Sequence, residues 1–371
     1  MKIKELYVYP VKSLRGCSVP TATLTPYGLK HDRKYMIVRV TPSPDSTSPT
    51  YESQYVGRVD SLCLFSASIL PDYENAKVVR VTYNTPSSND ENPYVEFPIA
   101  ADYKSLKKVD LSIHLSNCVG YDMGSEYEEF FTKYLGYPAK LVYVGDATRE
   151  VKGNLAPNQT HLTKENDFDG GGKGWFIFGF FTWVLWCLLG WGRGAKYTIQ
   201  FADVAPVLVA STVSLEELNS GKREDEKELV LDITKMRPNI VLEPSAPEEM
   251  VPFEEDYWAE LKVGGDEEEK GGARKIELTG NCGRCKSLNV DYETGKQLPV
   301  HGQMLKRLSD MKRRVDTGHG YSPIFGRYGF IAKDSLEKEV RVGEEVTVTK
   351  KNEERTIFYW PGLSAGTKPQ K

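Results

Sequence analysis

Short apolar runs separated by turn formers dominate the first 145 positions. Residues 3–8, 34–40 and 77–82 mix β-branched and aromatic side chains between turn-forming clusters, which predicts strands. Residues 41–53 are rich in Pro, Ser and Thr and predict a loose loop. Ser125-Glu126-Tyr127-Glu128 has the spacing of a capping box and predicts a short helix. Its apolar face would be Phe130, Phe131, Tyr134 and Leu135, and Gly136 would stop it. A strand follows at residues 141–144. Residues 153–174 are polar and glycine-rich, as in a linker or insert. Residues 175–192 then carry no charge and include four tryptophans and four phenylalanines. Ser214-Leu215-Glu216-Glu217 is a second capping box, and residues 223–228 are a solvated charge run. Residues 248–260 read as an acidic surface segment packed by Trp258. A charged loop at 266–270 precedes a strand at 275–278, Leu288-Asn289-Val290-Asp291 continues as strand, and residues 340–348 read as a closing strand pair. From Lys350 the chain reads as a frayed tail in which Ile357-Phe358-Tyr359-Trp360 packs. The fold class expected is α+β and β-rich. The divisions are 1–145, a linker with an apolar insert at 146–198, 199–350, and a tail at 351–371.

Bulk properties narrow the function classes. With 371 residues there is room for two domains and a substantial core. The net charge of −4 and the absence of a basic stripe argue against a nucleic-acid binder. Six scattered cysteines do not form a disulfide framework, which favours a reducing compartment. The amino terminus enters a strand directly, with neither an apolar signal core nor an Arg-rich transit helix. The sequon Asn158-Gln159-Thr160 is then a chance match in an intracellular loop.

One stretch carries chemistry. In Asn281-Cys282-Gly283-Arg284-Cys285 two thiols bracket a Gly-Arg pair, and Val290-Asp291-Tyr292-Glu293-Thr294-Gly295 supplies a polar turn. A guanidinium beside a thiol favours the thiolate, the form that binds metals. Spacing alone leaves half a zinc site, a redox pair or two packed thiols open. No second C-x-x-C or H-x-x-x-H completes a zinc set.

The motif resembles the signature of the MOSC family, found in molybdenum cofactor sulfurases and amidoxime-reducing components. Tyr7-Val8-Tyr9-Pro10-Val11-Lys12-Ser13 and Tyr27-Gly28-Leu29-Lys30-His31-Asp32-Arg33 resemble the opening of the MOSC N-terminal β-barrel domain. Phe201-Ala202-Asp203-Val204-Ala205-Pro206 and Met236-Arg237-Pro238-Asn239-Ile240-Val241 resemble the core of the MOSC domain. Ser322-Pro323-Ile324-Phe325-Gly326-Arg327-Tyr328 and Val342-Gly343-Glu344-Glu345-Val346 resemble its end. The resemblance runs in order along nearly the whole chain. It implies a MOSC-type β-barrel domain packed with an N-terminal β-barrel-like domain.

It also implies a site. Cys285 would be the protein ligand of a molybdenum held by a pyranopterin, with Cys282 beside it but not bound. Lys12, Ser13, Arg33, Arg237 and Arg284 would hold the cofactor's phosphate, Arg as a planar fork and Lys as a point charge. Asn239 would meet the pterin edge, and Ser211 and Thr212 are hydroxyl candidates. Asp203 would relay protons near the metal or cap a helix. Tyr328 would hydrogen-bond the pterin or sit in the core. The activity implied is a molybdenum oxidoreductase that reduces N-hydroxylated compounds and releases water. Its external electron donor would be of the cytochrome b5 and b5 reductase type. The alternative is a cofactor-binding or carrier module related to the sulfurase C-terminal part. The sulfurase's pyridoxal-phosphate domain has no counterpart in this chain.

Residues 175–192 lie inside the resemblance. A single membrane span there would put the two halves of one site on opposite sides of a bilayer, so a simple span is rejected. Docking at a membrane interface, packing on a partner, excision and burial inside the fold remain as readings. The flanking Lys173, Arg193 and Lys196 suit the first. The location implied is the cytoplasm or the mitochondrial outer membrane.

Overall fold

The computed structural model describes residues 1–43, 49–86, 91–164, 196–220, 231–246, 249–265 and 272–367. The apolar segment 175–192 and the charge runs at 223–228 and 266–270 lie outside the described residues. The fold is α+β and β-rich, with three α-helices among the described residues. Its sheets have open strand orders rather than closing into barrels.

An eight-stranded sheet forms the larger layer. Its order is Val346–Lys351, Trp258–Val263, Arg274–Gly283, Ile324–Ile331, Val207–Ser211, Ile240–Glu243, Lys2–Val8 and Cys17–Val19. The amino-terminal strand thus lies within the sheet built from the carboxy-terminal half. Alternation puts Leu6 and Val8 in its core beside Val207, Val209, Ile240 and Leu242, and a bulge between Ile3 and Glu5 brings Ile3 to the same core. Each of those three side chains contributes about 2 kcal/mol of apolar burial. A one-residue slip would turn them all to the other face.

The second layer runs Lys108–Ile113, Ser116–Asp122, Ala139–Tyr143, Tyr35–Thr41 and Val11–Lys12, with Thr50–Ser53 pairing the far end of the same edge of Tyr35–Thr41 as Val11–Lys12. The helix Ser125–Leu135 covers a core containing Phe65 and Phe131, and Tyr134 stacks on Tyr83 at 4.5 Å. Gly136 ends the helix in left-handed backbone (φ 76°), as expected. Its start is capped by Gly124 with no side-chain bond, so Ser125 opens the helix rather than capping it.

Several expectations are corrected by tertiary packing. Lys286–Asn289 is a 3₁₀ turn, not a strand continuing from Cys285. Glu339–Arg341 pairs with Thr21–Thr25, while Val346–Lys351 pairs with Trp258–Val263, so these two strands do not pair with each other. In the tail Phe358, Tyr359 and Trp360 are buried as expected, but Ile357 is exposed. The acidic segment before Trp258 is not a surface segment. Glu255 and Asp256 are both buried; Arg313 donates two bonds to Asp256, at 2.7 and 2.8 Å, and Arg355 a third.

Glu255 has no such cation. Its Oε2 accepts a 2.7 Å bond from Ser214 and its Oε1 has no partner. Burial pushes its carboxyl up to about 7, from an ordinary 4.5. The native state therefore holds a proton that the unfolded chain releases. That contribution is fully present below about pH 4.5 and is lost as the pH rises through about 7. The shift corresponds to roughly 3 kcal/mol. Glu255→Gln should flatten this dependence and make the variant more stable than the parent at pH 9. Urea melts of both proteins at pH 5.5, 7 and 9 check it, and equal slopes would refute the assignment.

Candidate functional site

The strand Arg274–Gly283 loses register twice against Ile324–Ile331, once between Leu278 and Gly280 and again between Asn281 and Gly283. Such bulges re-aim side chains. Here the second one falls at Cys282, and the two thiols part company. Cys282 is buried, accepts a 2.9 Å bond from Arg284 Nη1 and donates at 3.0 Å to the Tyr328 hydroxyl. Cys285 is exposed, with Ser287 Oγ at 3.1 Å. The guanidinium between the thiols therefore touches Cys282 directly, not Cys285. Among the described residues no three His, Cys, Asp or Glu side chains converge to chelate a metal, so a zinc set built from protein ligands alone is not formed there.

Gly283 is demanded by packing. A Cβ there would stand 2.4 Å from the ring of His319, which itself stacks on Phe358 at 4.1 Å. Arg284 is then fixed at both ends, its backbone N–H on Pro323 and its Nη2 on the Met236 carbonyl. Burial pushes the Arg284 guanidinium down, but the neighbouring Cys282, Tyr328 and Cys285 raise it overall.

Cys285, Arg284 and Tyr328 line a cleft of about 120 Å³ with Arg33, Asp203, Arg237 and Asn239. Seven of the candidate residues thus meet in one place. Larger hollows of about 640 and 980 Å³ lie elsewhere and mix charges of both signs. Arg33 and Arg237 both sit in left-handed backbone (φ 49° and 56°) and lie over the ring of Tyr9, at 5.1 and 4.4 Å. Arg33 is paired with Asp32. Among the described residues the Arg237 guanidinium donates only to the Leu14 carbonyl, and burial and Arg33 depress it. Asn239 is wholly buried. Its side chain donates to the Tyr7 carbonyl and accepts from Leu208 N–H and Arg33, so it ties backbone and Arg33 together at the cleft wall.

The remaining candidates are placed one step back. Lys12 is buried and paired with Asp203, and Ser13 donates to the Gln54 carbonyl at 2.9 Å. Ser211 is fully buried, and its Oγ accepts from Ser214 N–H, capping the helix Thr212–Ser220. Thr212 opens that helix. Ser214 therefore stands inside the helix and not at its start.

Asp203 is the hinge between this cleft and a second group. Its Oδ1 accepts from Lys12 and, at 3.1 Å, from His114 Nε2. Burial pushes its carboxyl up, yet Lys12 and His114 hold it well below the usual carboxylate range. His114 carries no sequence signal. It sits in a two-residue hairpin turn, Ile113↔Ser116, with Leu115 beside it. Both turn residues have positive φ (50° and 60°), the geometry that Asn-Gly normally supplies. For a bulky residue this costs on the order of 1–3 kcal/mol.

Residues 1–138 match the MOSC N-terminal beta barrel domain, and residues 196–347 match the MOSC domain. This is a MOSC-domain chain. It is 23% identical over 350 residues to the molybdenum cofactor sulfurase of Solanum lycopersicum. That alignment covers 93% of this chain but only 35% of the sulfurase. It is 23% identical over 355 residues to mitochondrial amidoxime reducing component 2 of Rattus norvegicus and 24% over 352 to mitochondrial amidoxime-reducing component 1 of Homo sapiens. Both alignments cover 93% of this chain and 82% of the relative. The MOSC chain thus stands among proteins named for the molybdenum cofactor or for amidoxime reduction. No helix among its described residues is long and apolar enough to cross a membrane.

Gly57 was also silent in the sequence. A Cβ at this position would be 3.5 Å from Cys285 Sγ and 3.1 Å from the Tyr55 ring, so the glycine keeps one side of the thiol open. Gly57→Val should slow the alkylation of Cys285 at least tenfold. Maleimide kinetics check this, the relevant phase being the one that Cys285→Ala removes. An unchanged rate would show that Gly57 is not what keeps the thiol open.

Proposed function

We propose that the chain is a molybdenum-cofactor-dependent oxidoreductase that reduces N-hydroxylated compounds. The observation that carries this reading is the exposed Cys285 opening on a cleft edged by Arg33, Arg237 and Arg284. Arg33, Arg237, Arg284 and Lys12 stand there against two carboxylates, Asp32 and Asp203. Arg284 Nε is buried without a partner. Neither Arg237 nor Arg284 has a carboxylate within ion-pair distance among the described residues. Cations left short of counter-charge suit a phosphorylated, anionic group, since an unpaired buried charge is costly. A soft thiolate suits molybdenum. The residues fit the cofactor.

In this reading Cys285 is the ligand, and Arg237, Arg284 and Arg33 hold the anionic end. When bound, the cofactor supplies two-electron oxygen-atom chemistry at the metal. The chain's own residues do the rest. Gly57 leaves room for the substrate beside the thiol. Tyr328 and Arg284 hold the buried Cys282 thiol, so that of the two cysteines lining the cleft only Cys285 is exposed. Asp203, ionised by its ion pair with Lys12, accepts hydrogen bonds at the cleft wall and handles protons as the substrate oxygen leaves as water. Electrons enter from an external donor of the cytochrome b5 type. The hydrophobic segment 175–192 would serve as a membrane-surface contact.

Metal and pterin analysis with a benzamidoxime assay tests the proposal. The parent should contain molybdenum and turn over. Cys285→Ala should lose nearly all of the metal. Asp203→Asn should keep the metal and lose 10²–10⁴-fold in kcat, the usual worth of a positioned proton-transfer group. Equal metal in the parent and in Cys285→Ala would reject the ligand. Bound cofactor without turnover would favour the carrier alternative.

A further inference from the structure

We propose that His114 supplies protons to the cleft through Asp203, a role that rests on the reductase reading above. The argument starts from the hairpin turn. Three consecutive carbonyls of this strained turn are each held by a different side chain. Arg149 Nη1 donates to Ile113 at 3.4 Å, Trp360 Nε1 to His114 at 2.9 Å, and Lys152 Nζ to Leu115 at 2.7 Å. Arg149 and Lys152 come from one segment, and Trp360 is 246 positions away from the residue it holds. Backbone strain persists only where its surroundings over-determine it, and such places cluster at working sites.

What the strain delivers is one contact, His114 Nε2 on Asp203 Oδ1. Arg149 fixes the other half of that contact. It is buried and donates to the carbonyls of Gln200, Ala202 and Asp203, so one guanidinium ties the histidine turn to the aspartate segment. The His114 side chain is 38% exposed and that of Asp203 is 50% exposed. Asp203 lines the thiol cleft whereas His114 does not. The pair therefore connects bulk water to the cleft wall.

An imidazole exchanges protons readily near neutral pH. In the step proposed, the ring of His114 starts as the imidazolium, protonated on both nitrogens; its Nε2–H bond breaks as an O–H bond forms at Asp203 Oδ1, leaving a neutral ring that keeps Nδ1–H. Hydronium from bulk solvent then restores the imidazolium and leaves water. Asp203 then gives that proton to the oxygen leaving in the cleft. Lys12 sits on the same carboxylate oxygen and favours its ionised form, so the proton is passed on rather than retained. The charged groups facing the pair are Lys12 and Arg149, with Arg33 acting on Asp203 from across the cleft and Lys152 on the turn. His114 is thus a positioning and proton-supplying residue that acts through Asp203.

His114→Asn is the test, because asparagine tolerates left-handed backbone but does not titrate. The loaded variant should keep the parent's molybdenum content and KM for benzamidoxime. It should lose tenfold to hundredfold in kcat at pH 7, and the shape of its pH–rate profile should differ from the parent's. Nitrogen-15 NMR of the histidine rings gives a readout independent of turnover. The parent should show His114 ring-nitrogen shifts typical of an Nε2–H bonded to a carboxylate, and Asp203→Asn should move them. A parent that turns over with a profile identical to that of His114→Asn would overturn this proposal and leave the reductase reading intact. A parent that holds molybdenum but reduces nothing would sink both. If His114→Asn does not fold, His114 ring-nitrogen shifts in the parent that do not respond to Asp203→Asn overturn the proposal.

Discussion

The side-chain amide of Asn239 holds the two halves of the molecule at the point where the cleft forms. Its nitrogen binds the carbonyl of Tyr7 at the end of the first strand. Its oxygen takes the N–H of Leu208 and the guanidinium of Arg33. All of this happens without water, since Asn239 is wholly buried. Leu208 is the cross-strand partner of Tyr328, which in turn faces Gly280 on the strand that ends in the thiol motif. One amide therefore sets the spacing between Arg33, Tyr328 and the sulfur-bearing strand. A buried polar group that is fully bonded specifies an arrangement, whereas a partly bonded one would splay it.

Charge makes sense only on top of that geometry. Each cation near the cleft has a different degree of neutralisation. Lys12 and Arg33 have carboxylate partners, Arg284 has a thiol and a carbonyl, and Arg237 has a carbonyl and an aromatic face. The paired members set shape, and the unpaired ones are left to attract. Residues that look alike in the sequence thus divide into scaffold and ligand-facing groups according to who already holds them.

That division explains what could be read from the sequence and what could not. The amino-terminal strand and the helix Ser125–Leu135 were legible because their apolar periodicity is local. Cys285, Arg33, Asp203, Arg237, Asn239, Arg284 and Tyr328 were legible as a set through motif resemblance, and they do share a cleft. Resemblance did not say that Asn239 would tie backbone and Arg33 together or that Ser211 would cap a helix. Those outcomes depend on neighbours distant in the chain. His114, Gly57 and Arg149 gave no signal for the same reason. A histidine in a hairpin or a lone glycine has no pattern, and its meaning arises only when remote segments arrive beside it. The acidic stretch before Trp258 misled because two arginines, Arg313 and Arg355, neutralise Asp256 from afar.

The placement of the first strand bears on how the chain is made. Leu6 pairs with Ile240, 234 positions later. At ordinary synthesis speeds of 5–20 residues per second, the opening segment spends roughly ten to fifty seconds on the ribosome before its partner emerges. Through that interval Ile3, Leu6 and Val8 have only the neighbouring Cys17–Val19 to pair with, and the other apolar strand edge stays open and sticky. Nascent chains stalled before residue 240 would therefore depend on chaperone protection, and messages truncated in the later half would yield aggregates rather than a smaller folded piece.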